Sequence, residues 1–123
     1  MTPLICLAAA IFFEAGVEDI EGKRMVGSVV MNRVEDKRYP DDVCSVVYED
    51  KQFSFTHDGK SDKVPATEID SLVVAEDILL GNTSDITSTH YIADYARANW
   101  TKVFTFDGKH GTHLFYTNET KWR

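Results

Sequence analysis

Leu4-Ile5-Cys6-Leu7-Ala8-Ala9-Ala10-Ile11-Phe12-Phe13-Glu14-Ala15-Gly16 is the stretch on which the reading of this chain turns. A run of apolar residues ends in one glutamate, and a glycine follows at once. Between Thr2 and Ala15 the only backbone breaker is Pro3, which suits the first turn of a helix. Gly16 is a natural stop at the other end. Apolar residues on every side of such a helix predict a central, buried element. The run is too short for the ~20 residues that cross a bilayer. As a signal-peptide core it fails on both flanks: no Lys or Arg precedes it, and a cleavage site would fall on Glu14. The expectation is a buried helix and no secretion signal of the chain's own.

Glu14 would lie in the last turn of that helix. An apolar setting disfavours a charged carboxylate, and so does the negative end of a helix dipole. A carboxylic acid that keeps its proton near neutral pH can protonate a leaving oxygen, as glycosidic cleavage requires. The plainer alternative is a carboxylate that closes the apolar stripe and points to water, the common fate of helical glutamates. Glu18 and Glu21 follow closely. A second carboxylate across a sugar would make a retaining or inverting glycosidase. Glu21 reads as an acid favouring a helix start, while Glu18 stays open as a candidate second acid.

Working outward, a second helix is predicted from an Asp19 cap to about residue 36, with Val26, Val29, Val30 and Val34 on one face. A short segment covers residues 43–48. Residues 50–65 are polar, with a turn at Asp58-Gly59 around the apolar island Gln52-Phe53-Ser54-Phe55. A third helix is predicted from Thr67, where Asp70 completes a capping box, to Gly81, burying Ile69, Leu72, Val73 and Leu80. Residues 103–106 and 112–117 read as two strands around Asp107-Gly108. The fold class expected is α+β, helix-dominated, with a small antiparallel β-hairpin or sheet. At 123 residues the chain reads as one domain.

A net charge of −7 argues against nucleic acid, whose binding draws on Lys and Arg, and against anionic lipid. A neutral sugar chain suits an acidic protein, although an acidic wall would repel it somewhat. Cys6 and Cys44 have no partner at metal-ligand spacing. Two buried free thiols is the preferred reading, a Cys6–Cys44 disulfide the alternative. A Cys44–His dyad would suggest a thiol peptidase or amidase, but nothing around Cys44 marks a nucleophile. His110 and His113, three apart on one strand, would face opposite sides and chelate poorly; His57 and His90 lie elsewhere, so no metal is expected. Tyr91, Tyr95, Trp100, Phe104, Phe106, Phe115, Tyr116 and Trp122 offer rings on which sugars stack, and equally ordinary core material. Three Asn-x-Ser/Thr sites, at Asn82, Asn99 and Asn118, are read as chance.

The order of these blocks resembles the spore-cortex-lytic type of cell-wall hydrolase. Ile11-Phe12-Phe13-Glu14-Ala15, Glu18, Glu21-Gly22 and the valine-rich run around Asn32-Arg33 resemble the family's opening. Tyr39-Pro40, Val43-Cys44-Ser45-Val46-Val47-Tyr48 and Gln52-Phe53-Ser54-Phe55 follow. Thr89-His90-Tyr91, Trp100 and Gly111-Thr112-His113-Leu114-Phe115-Tyr116 complete the series, from about residue 4 to residue 116. Two departures stand out. The family's usual Glu-Ala-Arg-Gly-Glu is here Glu14-Ala15-Gly16-Val17-Glu18, and its Trp after Gln-Phe-Ser is Phe55.

The resemblance implies a lysozyme-like fold acting on glycan strands of alternating N-acetylmuramic acid and N-acetylglucosamine, with Glu14 as the acid/base. It leads us to expect a lytic transglycosylase needing no cofactor, with Gln52, Ser54, Phe55, Tyr91, Trp100 and Tyr116 holding sugar, and Gln52, Ser54, Tyr91 and Tyr116 also orienting Glu14. A hydrolytic muramidase aided by Glu18, and an inactive wall-binding module, are the alternatives. The family's spore members carry a wall-binding domain that this chain is expected to lack. Action on the bacterial wall would then fit a phage-encoded lysin or export by another route.

Overall fold

The computed structural model describes residues 2–49 and 68–119. Helix α1 spans Pro3–Ala15, α2 Ile20–Val34, α3 Val43–Tyr48 and α4 Ile69–Leu79. Strands β1 (His90–Ala93), β2 (Thr105–His110) and β3 (His113–Thr117) form one antiparallel sheet in the order β1-β3-β2. The α+β, helix-dominated expectation holds.

α1 is the central element. Its N-cap Thr2 accepts a hydrogen bond from Ile5 N, Pro3 occupies the first turn, and Cys6 to Ile11 are all fully buried. So long an unbroken run of buried residues requires neighbours all round. Those neighbours are α2, α3 and α4, which share its core cluster. Asp19 caps α2 as expected, accepting from Gly22 N at 2.7 Å, and Val26, Val29 and Val30 are fully buried. Asp42 caps α3 in the same way through Ser45 N.

Several expectations are corrected. α4 is capped by Glu68, whose carboxylate accepts from both the amide and the hydroxyl of Ser71. Thr67, the cap expected, lies outside the described residues. The face of α4 that is buried is Ser71, Val74, Ala75 and Ile78, whereas Ile69, Val73 and Leu80 are exposed. Val74, Ala75 and Ile78 join the core cluster of α1, and a helix can turn only one face to that cluster, which leaves Ile69 and Val73 outside.

The hairpin turns at Gly111-Thr112, not at Asp107-Gly108. Gly111 has φ +60°, the left-handed conformation a tight turn needs. Asp107-Gly108 lies inside β2, where the register slips between Phe106 and Gly108. A Gly with φ +146° there marks a bulge rather than a turn. Residues 103–106 are only partly strand, because a 3-10 turn at Asn99–Lys102 runs up to Val103.

The shifted turn overturns the reading of the histidines. His110 and His113 are not three apart on one strand; they face each other across the hairpin, paired in register. Directly opposite residues share a face of the sheet.

Cys6 and Cys44 form a disulfide with Cα atoms 5.3 Å apart, so the free-thiol reading is wrong and the alternative holds. The two residues meet because α3 packs across α1. With its sulfur bonded, Cys44 has no thiolate, which removes the thiol peptidase or amidase reading.

Candidate active site

Glu14 stands half-buried at the C-terminal end of α1. From the sheet side, the Tyr91 hydroxyl donates to its Oε1 at 3.2 Å. Tyr91 is on β1, and its neighbour across the ladder is Phe115, a residue packed with Ala15, Val26 and Val29 under the end of α1. Burial, and then the adjacent Glu14 charge, push the Tyr91 hydroxyl well above the ordinary tyrosine range. It therefore stays a proton donor to the carboxylate at any ordinary pH.

β1 is brought to this place by α2. Asn32 Nδ2 donates to the carbonyls of Ile86 and Ser88 at 3.0 and 2.9 Å, and Arg33 Nε donates to the carbonyl of Thr89 at 2.7 Å. Arg33 is buried, with its guanidinium over the Tyr39 ring at 5.0 Å. These donors satisfy carbonyls that lead directly into Tyr91. In the sequence Asn32-Arg33 stands out only as part of a family block. A further signal is there: Arg33 continues the Val26, Val29, Val30 stripe at helical spacing, so its charge falls on the buried face.

Successive strand residues point to opposite sides, and this divides the expected sugar-holding residues. Tyr91 is on the Glu14 side. Trp100 and Tyr116 are on the outer face, packed edge-on at 5.2 Å, with His90, Phe104 and Phe106 completing an aromatic layer. His90 pairs with Tyr116 in register, and burial, helped by the charges of Arg33 and Arg38, lowers its pKa to about 4. Gln52, Ser54 and Phe55 lie outside the described residues.

Glu18 does not face outward as a charged helix start would. It is only 8% exposed. Its Oε2 accepts from the Thr112 hydroxyl at 2.6 Å and its Oε1 from the Thr112 amide at 3.2 Å. His113 is 7% exposed and packs edge-on to the Tyr91 ring at 5.1 Å. Its Nδ1 is sealed from solvent with no hydrogen-bond partner among the described residues. Burial lowers its pKa, against the opposing pull of Glu18, Glu14 and Asp94. From sequence, His113 is visible as half of a metal pair and as part of a family block, with no role given to it. Among the described residues no group of three or more His, Cys, Asp or Glu is placed to hold a metal ion.

Chemically, the arrangement is a carboxyl at a helix end, one oxygen held by a permanent hydroxyl donor, on the sheet face that carries buried His113. The cell wall hydrolase family model matches residues 17–116 of the chain. The chain belongs to the cell wall hydrolase family. The match begins three positions after Glu14. No curated protein matches the chain. The fold is similar to the catalytic domain of the germination-specific lytic transglycosylase SleB from Bacillus anthracis. The TM-score is 0.83, with 24% identity over 94% of this chain and 93% of that one. It is equally similar to the catalytic domain of the Bacillus cereus SleB protein, with TM-score 0.82 and 23% identity over 94% and 89%. The spore-cortex-lytic resemblance and the fold it implied are both upheld. A member of this family is an enzyme of peptidoglycan breakdown, whose substrate lies in the cell wall outside the cytoplasm. No described helix is long and apolar enough to cross a membrane.

Proposed function

We propose that this protein is a peptidoglycan lytic transglycosylase in which Glu14 is the sole acid/base. The observation that carries the reading is the Tyr91 hydroxyl on Glu14 Oε1. A donor on one oxygen fixes how the carboxyl group is turned towards substrate. Glu14, protonated, donates to the oxygen joining muramic acid C1 to the next glucosamine, and the C1–O bond breaks. The resulting carboxylate takes the proton from the muramic acid C6 hydroxyl as O6 attacks C1. A 1,6-anhydro ring closes, Glu14 is protonated again, and no water is consumed. The route needs a single protein carboxylate, in keeping with the engagement of both Glu18 oxygens by Thr112.

Tyr91 orients Glu14 in this proposal. Gln52, Ser54 and Phe55 bind the sugars flanking the cleaved bond. Trp100, half-buried on the outer face of the sheet, offers a stacking surface for a further sugar, whereas Tyr116, 8% exposed beneath Trp100 and Phe106, supports that ring from below. The unit covering residues 1–123 acts as a single catalytic domain without a cofactor. The kinship to SleB supports the transglycosylase outcome, since one of those domains is described as a lytic transglycosylase.

The test is clearance of a purified peptidoglycan suspension by wild type and Glu14→Gln, followed by product masses. Wild type should release muropeptides one water lighter than hydrolytic products. The variant should lose about a hundred- to ten-thousandfold in rate, since an amide is too weak an acid to protonate the leaving oxygen. Products of full hydrolytic mass would point to a water-using muramidase instead. Binding to walls without turnover by the wild type would point to an inactive wall-binding module.

A further inference from the structure

The turn between α1 and α2 is gripped from outside by the tip of the β2–β3 hairpin. Thr112 holds both oxygens of Glu18, at 2.6 and 3.2 Å. His110 Nε2 lies 2.8 Å from Asp19 Oδ1, the same oxygen that caps α2. Between them Gly111 presents a bare Cα, and a Cβ there would overlap Glu18 Oε1. Gly22, one turn into α2, is bare for the same reason. A Cβ there would lie 2.9 Å from the Glu18 Cβ and 3.2 Å from the His110 ring. Two glycines clear the space that lets two side chains close on Glu18-Asp19.

The grip reaches Glu14 through the backbone. Glu18 N donates to the Ala15 carbonyl at 3.0 Å, closing the last turn of α1. The Glu18 carbonyl accepts the buried Lys23 ammonium at 2.6 Å. Side chain, amide and carbonyl of Glu18 are thus each held by a different element. The helix end carrying Glu14 has no glycine-led left-handed cap of its own, since Gly16 is in the right-handed region at φ −60°. The hairpin braces from outside the residue whose amide closes that turn, Glu18.

We infer that Glu18 is a positioning residue, clasped by Thr112 across Gly111 so as to fix the last turn of α1 and the Glu14 carboxyl with it. It is not a second proton-transfer acid. The inference rests on the reading of Glu14 as acid/base, and its test separates the two.

Thr112→Val keeps the shape and removes the hydroxyl donor; Thr112→Ser restores it. Glu18→Gln keeps an acceptor for the Thr112 amide, and its amide NH2 can donate to the Thr112 oxygen. Asp77→Asn weakens the Arg24 ion pair (2.7 Å) between α2 and α4 and alters the Asn82 hydrogen bond (2.6 Å), and serves as the stability control. On peptidoglycan, Thr112→Val should lower kcat about ten- to a hundredfold with little change in KM, as expected of a displaced catalytic group. Thr112→Ser and Glu18→Gln should stay within about threefold of wild type, and Asp77→Asn should lose melting temperature without losing kcat. Amide hydrogen exchange at Glu18 should quicken in Thr112→Val, whether or not the wild type cleaves glycan. Loss of turnover in Glu18→Gln with Thr112→Val unaffected would make Glu18 a reacting acid and overturn the inference. So would unchanged exchange at Glu18, or a kcat that follows melting temperature alone across Thr112→Val and Asp77→Asn. Full activity in Glu14→Gln would sink the catalytic reading by itself, while the exchange result still judges the clasp.

Discussion

At the scale of single residues, the site depends on what one hydroxyl does to one carboxyl. Burial, and then the Glu14 charge, hold the Tyr91 hydroxyl protonated at ordinary pH, so it presents a donor to the Glu14 carboxylate. Hydrogen bonds to charged groups contribute roughly 1.5–3 kcal/mol. Tyr91→Phe should therefore slow turnover by about ten- to a hundredfold while the fold persists, because the ring still packs on His113 and Phe115. Steady-state kinetics beside a thermal melt would check this. A variant with wild-type kcat would leave Tyr91 a core residue only. Glu14 itself is legible in the amino-acid sequence, because a lone acid ending an apolar run is conspicuous there. Its hydroxyl partner 77 positions away, Tyr91, is named only through the family's Thr89-His90-Tyr91 block, because no local pattern pairs the two.

At the scale of elements, the sheet sorts aromatic residues by parity. Tyr91 and Phe115 face α1, while His90, Tyr116 and the Trp100 turn form the outer layer. Composition announces that rings are plentiful, but only register assigns a side. The outer layer has a measurable consequence at His90. Its folded pKa, about 4, lies below the ordinary 6.5. Between those values the unfolded chain takes up a proton that the folded chain refuses. Stability is then flat above about pH 7 and falls as pH drops from 6.5 towards 4. Denaturant midpoints between about pH 7.5 and 5, above most carboxylate titration, should show this fall in wild type and a smaller one in His90→Phe. Parallel profiles for the two proteins would refute it. The hairpin turn is misplaced by local reading for a related reason. Asp107-Gly108 has turn-forming chemistry, yet β3 offers partners on both sides of it, so the ladder skips Asp107 as a bulge and pairs Gly108 with Phe115.

At the scale of the whole molecule, α1 is the axle and the disulfide its tether. Cys6 and Cys44 are 38 positions apart in sequence, and closing a loop of that size restricts the unfolded chain by about 3–4 kcal/mol. Against a typical folding stability of roughly 5–15 kcal/mol, that share is large. Reductant should lower the melting temperature markedly, and thiol titration of the native protein should find no free cysteine. Two reactive thiols in the folded protein would contradict the bridge. Such a bond suits an oxidising location, in agreement with a family that works on the cell wall.

Local periodicity and capping chemistry suffice for α1, for the Asp19 start of α2 and for the helix-dominated class, because those depend on residues within a few positions of one another. The ordered series of blocks suffices for the family. Contacts between distant segments are decided in three dimensions: the Cys6–Cys44 bond, the buried face of α4, the union of Tyr91 with Glu14, and the engagement of Glu18 by Thr112. Each is a choice among partners of similar local chemistry. That choice is made by close packing of whole elements around α1, which no short window of sequence contains.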